Sequence, residues 1–316
     1  MNPAPGASRA NSPGWFPFGW YVTPELPPHD THRVGRFVAF GREWLNTREP
    51  AAVSSPRCQH DGAPLWVKPA PARGQLRCPR CGRPPAADGL PVGVWAGRTW
   101  FWWHPGGDAP HWELPPDPVP VAAWHWSSYP IHTTWMDIAE NSVDWAHFST
   151  IHAPATTPVV LEDRWVGPIR HIRSLQRMPT LDGSDGTTEV HSTAHGPGLL
   201  LSTLRVAGLL DAMLITSVVP RGATEVTVHV GLSTQPAGPG RAHTPGAAST
   251  TLLTSLSRQF FRAVHVQMEQ DAAIWNHKVW LSDPLLAPGE NGILKIRRDL
   301  ERFRAPEPGA TRTSRP

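Results

Sequence analysis

Three residues able to bind a metal lie close together between positions 136 and 152: Asp144, His147 and His152. Asp144 and His147 are three positions apart, so on a helix they share a face and can hydrogen-bond. His147 and His152 are five positions apart, a spacing that separates them around a regular helix. If both bind one ion, the helix must break between them, and the β-branched residues before Pro154 favour such a break.

A third candidate ligand, Asp271, lies far downstream in a long helix predicted over residues 248–282. Its neighbours are mostly apolar, which is a poor environment for a carboxylate that binds nothing. Two neutral imidazoles and one carboxylate form the facial triad of non-haem Fe(II) enzymes that activate O2. His147, His152 and Asp271 are therefore predicted to hold ferrous iron. The alternative is that the histidines are ordinary surface or core residues and that Asp271 belongs to a solvated helix face.

The three cysteines of the chain form a second candidate centre together with one histidine. Cys58 and His60 make a C-x-H pair, and after 17 intervening residues Cys78 and Cys81 make a C-x-x-C pair. Two short pairs on the tips of two hairpins would hold a metal centre between loops. Three Cys and one His also make a normal tetrahedral zinc site, whereas the tight C-x-H spacing favours an iron–sulfur cluster. Both interpretations stay open on spacing alone.

The composition indicates a loop-rich globular protein with room for about two domains. The chain has 316 residues, of which 40% are hydrophobic and 17% are charged, with 37 Pro and 27 Gly. A net charge of +3 without a basic run argues against a nucleic-acid partner. No secretory signal is visible, and the odd number of cysteines argues for metal ligands in a reducing, cytoplasmic location rather than for disulfides.

The strand and helix patterns predict an α+β protein, in which a small all-β module precedes a domain of helices on an antiparallel sheet. The predicted parts are an N-terminal extension at residues 1–32, the β module at 33–120, the helix-and-sheet domain at 121–302, and a disordered tail at 303–316. The β module contains both cysteine pairs, and the second domain contains the predicted iron ligands.

The order of these motifs resembles that of Rieske non-haem iron oxygenase α subunits. The C-x-H-x17-C-x-x pattern followed by G-A-P-L is similar to the Rieske [2Fe–2S] domain, and E-N-x-x-D-x-x-H-x4-H at residues 140–152 is similar to the mononuclear iron motif. The runs W-W-H-P-G-G-D-A-P-H-W-E-L-P, H-G-P-G-L and E-Q-D-A-A-I-W-N-H-K resemble the sterol and steroid subgroup. That subgroup includes the cholesterol 7-desaturases and the oxygenase component of 3-ketosteroid 9α-hydroxylase. The likeness covers roughly residues 15–300.

This resemblance implies a Rieske-like [2Fe–2S] domain and a catalytic domain with mononuclear Fe(II). The implied cluster ligands are Cys58, His60, Cys78 and the residue at position 81. The implied iron ligands are His147, His152 and Asp271.

The resemblance also implies roles for two residues beside the iron and for several partners. Asp144 would orient His147 and bridge the two metal centres across a subunit boundary, so a homotrimer is expected, and Asn141 would line or support the site. Because the chain has no G-x-G-x-x-G nucleotide motif, electrons would come from a separate NAD(P)H-dependent reductase or ferredoxin. The implied reaction is the O2-dependent hydroxylation or desaturation of a hydrophobic, sterol- or steroid-like substrate.

Position 81 departs from the family pattern, which has a second histidine where this chain has Cys81. A thiolate in place of a neutral imidazole adds negative charge and should lower the reduction potential of the cluster. A thiolate also has no N–H to donate to Asp144. One interpretation is a three-Cys, one-His [2Fe–2S] cluster in a working oxygenase. The second is zinc or no metal at that position, and the third is replacement of the missing ligand by His104, His111 or another nearby group.

We adopt the working oxygenase as the prediction, because all four cluster positions still hold residues able to bind iron. Two alternatives are kept. One is a redox-inactive, zinc-containing or metal-free family member that acts as a lipid-binding or carrier subunit. The other is an oxygenase for another bulky natural product.

Overall fold

The structure is a computed structural model that describes residues 12–26, 34–48, 51–67, 76–85, 89–117, 124–153, 155–179, 185–206, 209–237, 247–287 and 290–306. Residues 1–11 and 27–33, which include most of the predicted N-terminal extension, and residues 307–316 of the predicted tail lie outside these ranges. The strands are β1 (Gly19–Val22), β2 (Val34–Ala39), β3 (Arg42–Arg48), β4 (Ala51–Ser54), β5 (Val92–Trp95), β6 (Arg98–Trp103), β7 (His125–Ile131), β8 (Val159–Val166), β9 (Ile169–Pro179), β10 (Asp185–His195), β11 (Leu200–Val206), β12 (Leu210–Gly222) and β13 (Glu225–Pro236). The helices are α1 (Trp135–Asn141), α2 (His147–Thr150), α3 (Ala247–Trp275), α4 (Asn291–Leu300) and a 3-10 helix (Glu301–Phe303).

Six short strands build the N-terminal part of the molecule. They form two three-stranded antiparallel sheets with the strand orders β1–β6–β5 and β2–β3–β4. The turns at Phe40-Gly41 and Ala96-Gly97 each have two consecutive positive φ angles, 54° and 71° in the first and 49° and 73° in the second. Tight two-residue hairpin turns favour such angles because their twist matches that of the strands. The described residues of the predicted β module therefore form the expected hairpins.

Strand β1 lies inside the segment that was predicted to be an N-terminal extension. It pairs with β6, with Gly19 opposite Trp103 and Val22 opposite Trp100, and all four of its residues are buried. This part of the extension therefore belongs to the sheet that also contains β5 and β6. This pairing was not predicted, because the partner strand is some 80 residues away in the sequence.

A seven-stranded antiparallel sheet forms the centre of the C-terminal part, in the order β7–β13–β12–β11–β10–β9–β8. Strands β8 to β13 follow one another as hairpins, and β7 pairs with β13 at the far edge. Helix α3 contacts β7, β12 and β13, and α1 contacts β12 and α4. The predicted α+β fold, with helices on an antiparallel sheet, is confirmed. Among the described residues no helix is both long enough and apolar enough to cross a membrane.

The H-G-P-G-L run at residues 195–199 packs closely against the N-terminal part of the molecule. A Cβ atom on Gly198 would lie 2.4 Å from the carbonyl oxygen of Trp20, and one on Gly196 would lie 2.5 Å from the ring of Trp112. Gly196 also has a φ of 73°, which favours glycine. Both glycines are therefore needed for the close approach of this turn to the N-terminal part.

The C-terminal tail begins later than predicted. Phe303, which was assigned to the tail, belongs to the 3-10 helix and is 1% exposed. Its backbone carbonyl accepts a hydrogen bond from the backbone N–H of Phe18 at 3.0 Å, and its ring packs against Trp112 and Trp165. Burial of this aromatic ring holds the 3-10 helix against the core.

Candidate metal centres

Helix α1 positions the first half of the iron motif. It begins with a capping box: the Thr134 hydroxyl accepts the backbone N–H of Asp137 at 3.2 Å, and the Asp137 carboxylate accepts the backbone N–H of Thr134 at 3.3 Å. The helix ends at Asn141. Asp144 therefore lies in the loop before α2, and the prediction that it shares a helix face with His147 is wrong.

The predicted break between the two histidines is confirmed. Helix α2 ends at Thr150, and Ile151 is its C-cap, so His152 follows the helix. The three residues His147, His152 and Asp271 are buried, with 5%, 6% and 7% of their surface exposed. Their potential ligand atoms all lie within 4.8 Å of one another, and His152 Nε2 is 3.2 Å from Asp271 Oδ1. The structure thus brings together the three residues that were predicted to bind iron.

Hydrogen bonds determine which nitrogen of each histidine is free. His147 Nδ1 contacts the backbone carbonyl of Asp144, and because a carbonyl can only accept, this nitrogen carries the proton. His152 Nδ1 donates in the same way to Gln270 Oε1 at 3.0 Å. Each Nε2 is left with a lone pair, and His152 Nε2 lies 3.2 Å from Asp271 Oδ1. Imidazoles that bind metals are held in this way by a second hydrogen bond at the other nitrogen.

The charges and lone pairs of this group fit a divalent cation. His147 Nε2 is buried and has no hydrogen-bond partner in the described part of the chain, which costs about 1–3 kcal/mol if nothing binds there. Burial raises the pKa of Asp271, although the charges of His152 and His147 partly oppose the shift. A cation between the three groups would satisfy all of them, and two imidazoles with one carboxylate are the ligand set of ferrous iron enzymes.

Asp144 lies beside His147, but the contact is made by its main chain and not by its carboxylate. The residue lines a cavity of about 130 Å³ together with His147, Asp271 and Lys278. Its negative charge contributes to the raised pKa of Asp271. The orienting effect on His147 thus comes from a backbone carbonyl, while the bridging role of the Asp144 side chain stays a prediction.

A second and larger cavity, of about 630 Å³, is lined by His152, one of the three predicted iron ligands. This volume lies within the range of sites for small organic ligands. Its walls come from the segment around His152, from α3 and from strands β9 to β12, and most of them are apolar. Asn141 lines both cavities, so the structure places this predicted supporting residue between them.

A buried ionic network fixes the helix before the histidines. Glu140, which is 4% exposed, accepts hydrogen bonds from Arg297 Nε at 2.7 Å and Trp280 Nε1 at 3.3 Å. Lys278 Nζ lies 2.8 Å from Asp137 Oδ1 and 3.4 Å from Glu140 Oε2. Burial lowers the pKa of Lys278, but the hydrogen bond and charge of Asp137, with those of Glu140, outweigh it and hold the pKa above its ordinary value. The network ties α1 to the end of α3, the helix that carries Asp271.

The three cysteine thiols meet in the N-terminal part. Cys58 and Cys78 are buried and Cys81 is half-buried, their sulfur atoms lie within 4.8 Å of one another, and Cys58 Sγ is 3.6 Å from Cys81 Sγ. The backbone N–H of His60 lowers the pKa of Cys58, but burial and the other two thiols outweigh it and raise the pKa to about 11. The backbone N–H groups of Cys81 and Arg80 hold the pKa of Cys78 below its ordinary value. Main-chain donors aimed at sulfur suit bound thiolates.

The structure does not bring His60 to the three sulfur atoms. Its side chain is 49% exposed, and its Nδ1 is 4.0 Å from Asp61 Oδ2, so it is not part of the thiol group. His104 and His111 do not join the thiols either, because they form a separate group with Asp108. Three thiols alone fit a [2Fe–2S] cluster or zinc, and the fourth ligand stays a prediction.

The family model described as the 3-Ketosteroid 9alpha-hydroxylase C-terminal domain matches residues 101–303. The chain belongs to this family. One relative, the 3-ketosteroid-9-alpha-monooxygenase oxygenase component of Rhodococcus rhodochrous, is 22% identical over 336 residues, covering 93% of this chain and 81% of that protein. A probable oxygenase component from the same organism is 25% identical over 232 residues, and that match spans only 56% of its length. Cholesterol 7-desaturase nvd 1 of Ciona intestinalis is 24% identical over 336 residues, covering 92% of this chain and 69% of that protein.

Solved structures share the fold. NdmB of Pseudomonas putida CBB5 has a TM-score of 0.63 at 12% identity, over 88% of each chain. Dicamba monooxygenase bound to dicamba has a TM-score of 0.57 at 15% identity, over 90% of this chain and 96% of that one. At such identities the likeness concerns the fold alone. The family match and the relatives named above confirm the predicted resemblance to the sterol and steroid subgroup.

Two residues that support the site, Gln270 and Arg170, were not predicted from the sequence. Gln270 directly precedes Asp271 and orients His152, and its position next to a predicted ligand was the available signal. Arg170 is 2% exposed and donates to Ser142 Oγ at 2.8 Å in the loop after α1. Nothing in the sequence near Arg170 indicates this contact, because the two residues belong to elements separated by 28 positions.

Proposed function

We propose that this chain is the oxygenase component of a Rieske-type enzyme that uses O2 to hydroxylate or desaturate a hydrophobic, sterol- or steroid-like substrate. The observation that carries this proposal is the buried group of two imidazoles and one carboxylate beside a mostly apolar cavity of about 630 Å³. Membership of the 3-ketosteroid 9alpha-hydroxylase family supports it.

The residues around the cavity have distinct tasks in this function. Ferrous iron held by His147, His152 and Asp271 would activate O2, and a [2Fe–2S] cluster on the three cysteines, with His60 as the proposed fourth ligand, would pass electrons to it. Asp144 and Gln270 accept the Nδ1 protons of the two histidines, so both Nε2 atoms stay free to bind.

The size and polarity of the cavity support a bulky apolar substrate. Phe148, Phe260 and Val264 line it beside His152 and would exclude water from the substrate. The one Lys, Arg, Asp or Glu side chain among its described lining residues is that of Arg177, which is exposed. A charged small aromatic acid would find no buried partner here, and burying an unpaired charge is costly. Relatives named for 3-ketosteroids and cholesterol support a sterol or steroid.

The partners and location are also proposals. The name "oxygenase component" of the relatives supports a separate NAD(P)H-dependent reductase or ferredoxin. Exposed apolar side chains on the edge strand β8, at Val159, Leu161 and Val166, support burial in an assembly, and we propose a homotrimer. Free thiols support the reducing cytoplasm.

The test is anaerobic loading with Fe(II) and sulfide, followed by O2 uptake with a generic ferredoxin and reductase. The substrate panel contains sterols, keto steroids and non-steroid polycyclic terpenes. The proposal predicts uptake that depends on a sterol or steroid and a product with one added hydroxyl or double bond. Uptake with terpenes alone would favour an oxygenase for another natural product. No uptake from iron-replete protein, together with stoichiometric zinc and no acid-labile sulfide, would contradict the proposal and favour a carrier, which the exposed position of His60 would suit.

A further inference from the structure

Three serine hydroxyls lie together on the sheet face that lines the larger cavity. Ser192 of β10 is directly opposite Ser202 of β11. Ser174 of β9 is opposite Val190, which lies two residues before Ser192 on the same face of β10. All three serines line the cavity. Ser174 and Ser202 are 2% and 7% exposed. A polar patch is therefore built into a mostly apolar wall.

The hydroxyl groups of this patch have unused hydrogen-bonding capacity. Ser192 Oγ and Ser202 Oγ are 2.7 Å apart and share one hydrogen bond. Because each hydroxyl has one proton and two lone pairs, this pair keeps a proton that it can donate elsewhere. Ser174 has no hydrogen bond from its side chain to any other residue of the described ranges. These hydroxyls face the cavity, so a ligand with a matching polar atom can form hydrogen bonds with them.

The rest of the wall determines what kind of atom fits. Side chains around the serines on the same face are Ile172, Val190, Leu200, Leu204 and Leu214. The serines are neutral, and the exposed Arg177 is the only Lys or Arg among the described lining residues. A carboxylate would be buried here without a counter-charge. A carbonyl or hydroxyl oxygen on an apolar skeleton matches both the hydroxyls and their surroundings.

The sheet register places the serines at increasing distance along the strands from the loop that follows α1. Arg170, opposite Ala194, donates to Ser142 next to α1 and so marks the end of the sheet nearest the iron motif. The Ser192–Ser202 pair lies two residues further along the strands, roughly 7 Å, and Ser174 lies four residues along, roughly 13 Å. If a substrate oxygen binds the serines, a different part of the substrate skeleton therefore faces His152.

We propose that Ser174, Ser192 and Ser202 bind a neutral carbonyl or hydroxyl oxygen of the apolar substrate and thereby determine which carbon faces the iron ligands. This inference rests on the proposed function, since it specifies the substrate class of the same cavity. It assigns specificity to a patch of the sheet, and it requires no contact between the serines and the reacting carbon.

The test compares two probes that differ in their oxygens, progesterone and its parent hydrocarbon pregnane. Their dissociation constants are measured with the full chain by tryptophan fluorescence, because Trp145 lines the cavity. We expect the wild-type protein to prefer progesterone. The double variant Ser192→Ala/Ser202→Ala should weaken progesterone binding about fivefold to tenfold, the effect of about one hydrogen bond. It should leave pregnane binding unchanged, which also shows that the cavity is intact.

Two further variants complete the test. Ser192→Thr keeps a hydroxyl on a strand-compatible side chain and should keep the preference for progesterone. Ser233→Ala is the matched control, because Ser233 is a buried serine of β13 that does not line the cavity and whose hydroxyl has no partner in the described ranges. Equal ratios of the two dissociation constants in the wild type and the double variant would overturn the serine assignment alone. Failure of the wild type to bind either probe would overturn the steroid class in the proposed function and the serine assignment with it.

Discussion

At the scale of single residues, the two histidines among the predicted iron ligands depend on hydrogen-bond acceptors that are not predicted ligands. The carbonyl of Asp144 and the amide oxygen of Gln270 each take one imidazole proton. Without them, either ring could present an N–H to the site and repel a cation. The identity of these acceptors explains why a loop and not a helix carries Asp144: in a continued helix its carbonyl would be occupied by a backbone N–H.

Cys81 is predicted to influence the reduction potential of a cluster bound by the three cysteines. If it binds a [2Fe–2S] cluster, Cys81→His replaces a thiolate by a neutral imidazole and should raise the reduction potential by roughly 100 mV or more. This is part of the difference of about 250 mV or more between two-His and all-Cys clusters. A redox titration followed by electron paramagnetic resonance measures the shift. Cys81→Ser serves as the control that removes the thiolate. An unchanged potential in Cys81→His would show that Cys81 is not a ligand.

His229 makes the stability of the sheet depend on pH. It is 1% exposed, and burial, together with the charge of Arg98, lowers its pKa to about 3. Between pH 6.5 and about 3 the unfolded chain binds more protons than the folded protein, so the free energy of unfolding falls as the pH falls. Urea titrations at pH 7 and pH 5 should show this loss, and His229→Gln should reduce the difference between the two values.

The exposed His132 provides the control for this pH dependence. Its side chain is 76% exposed, and although its Nδ1 lies 3.7 Å from Glu225 Oε1, an exposed pair of this kind contributes little to stability. His132→Gln should therefore leave the difference between pH 7 and pH 5 unchanged. A pH dependence in His229→Gln that equals that of the wild-type protein would contradict the role assigned to the buried ring.

At the scale of elements, the loop between α1 and α2 is fixed by strand β9. The Arg170 guanidinium makes two hydrogen bonds to the carboxylate of Asp163 on β8, at 2.7 and 2.9 Å, and a third to Ser142 in the loop. Because the Arg170 side chain is only 3% exposed, removing it leaves Asp163 half-buried and unpaired. The sheet thereby determines where the loop that carries Asp144 starts.

We expect Arg170→Ala to lower the free energy of unfolding by about 3–5 kcal/mol, as in other broken buried ion pairs. The matched control is Arg173→Ala on the same strand. Arg173 also pairs with a carboxylate, that of Glu189, but its side chain is 44% exposed, so the loss should be about 1 kcal/mol or less. Urea denaturation of the three proteins makes the comparison. Equal losses in the two variants would contradict a special role of Arg170.

The elements also show what the sequence could and could not predict. The break after His147 and the long helix with Asp271 follow from β-branched residues and from local periodicity, and both were predicted. Helix α3 ends at Trp275 and not at residue 282, because the following turn is fixed by contacts of Lys278 with α1. Pairings such as β1 with β6 were missed, since the two strands are joined through tertiary contacts that no local pattern records.

At the scale of the whole molecule, the two groups of metal ligands predicted from the sequence lie in different parts of one chain. The three cysteines lie in the N-terminal part, and the predicted iron ligands come from the start of α2, the segment after α2 and the last turns of α3. The residue types of both groups were predicted from spacing and resemblance. The position of His60 away from the three cysteines was not predicted, because a C-x-H pair does not determine whether its histidine turns toward the sulfur atoms or toward solvent.

The most direct test of the central claim is the iron and acid-labile sulfide content of the wild type and of Asp271→Ala, loaded anaerobically. We predict about three iron and two sulfide per wild-type chain, and about two iron and two sulfide in the variant, because only the mononuclear iron depends on Asp271. Glu269→Ala, which removes an exposed carboxylate of the same helix, should keep all three iron atoms. A third iron retained in Asp271→Ala would contradict the claim that His147, His152 and Asp271 form the oxidising centre.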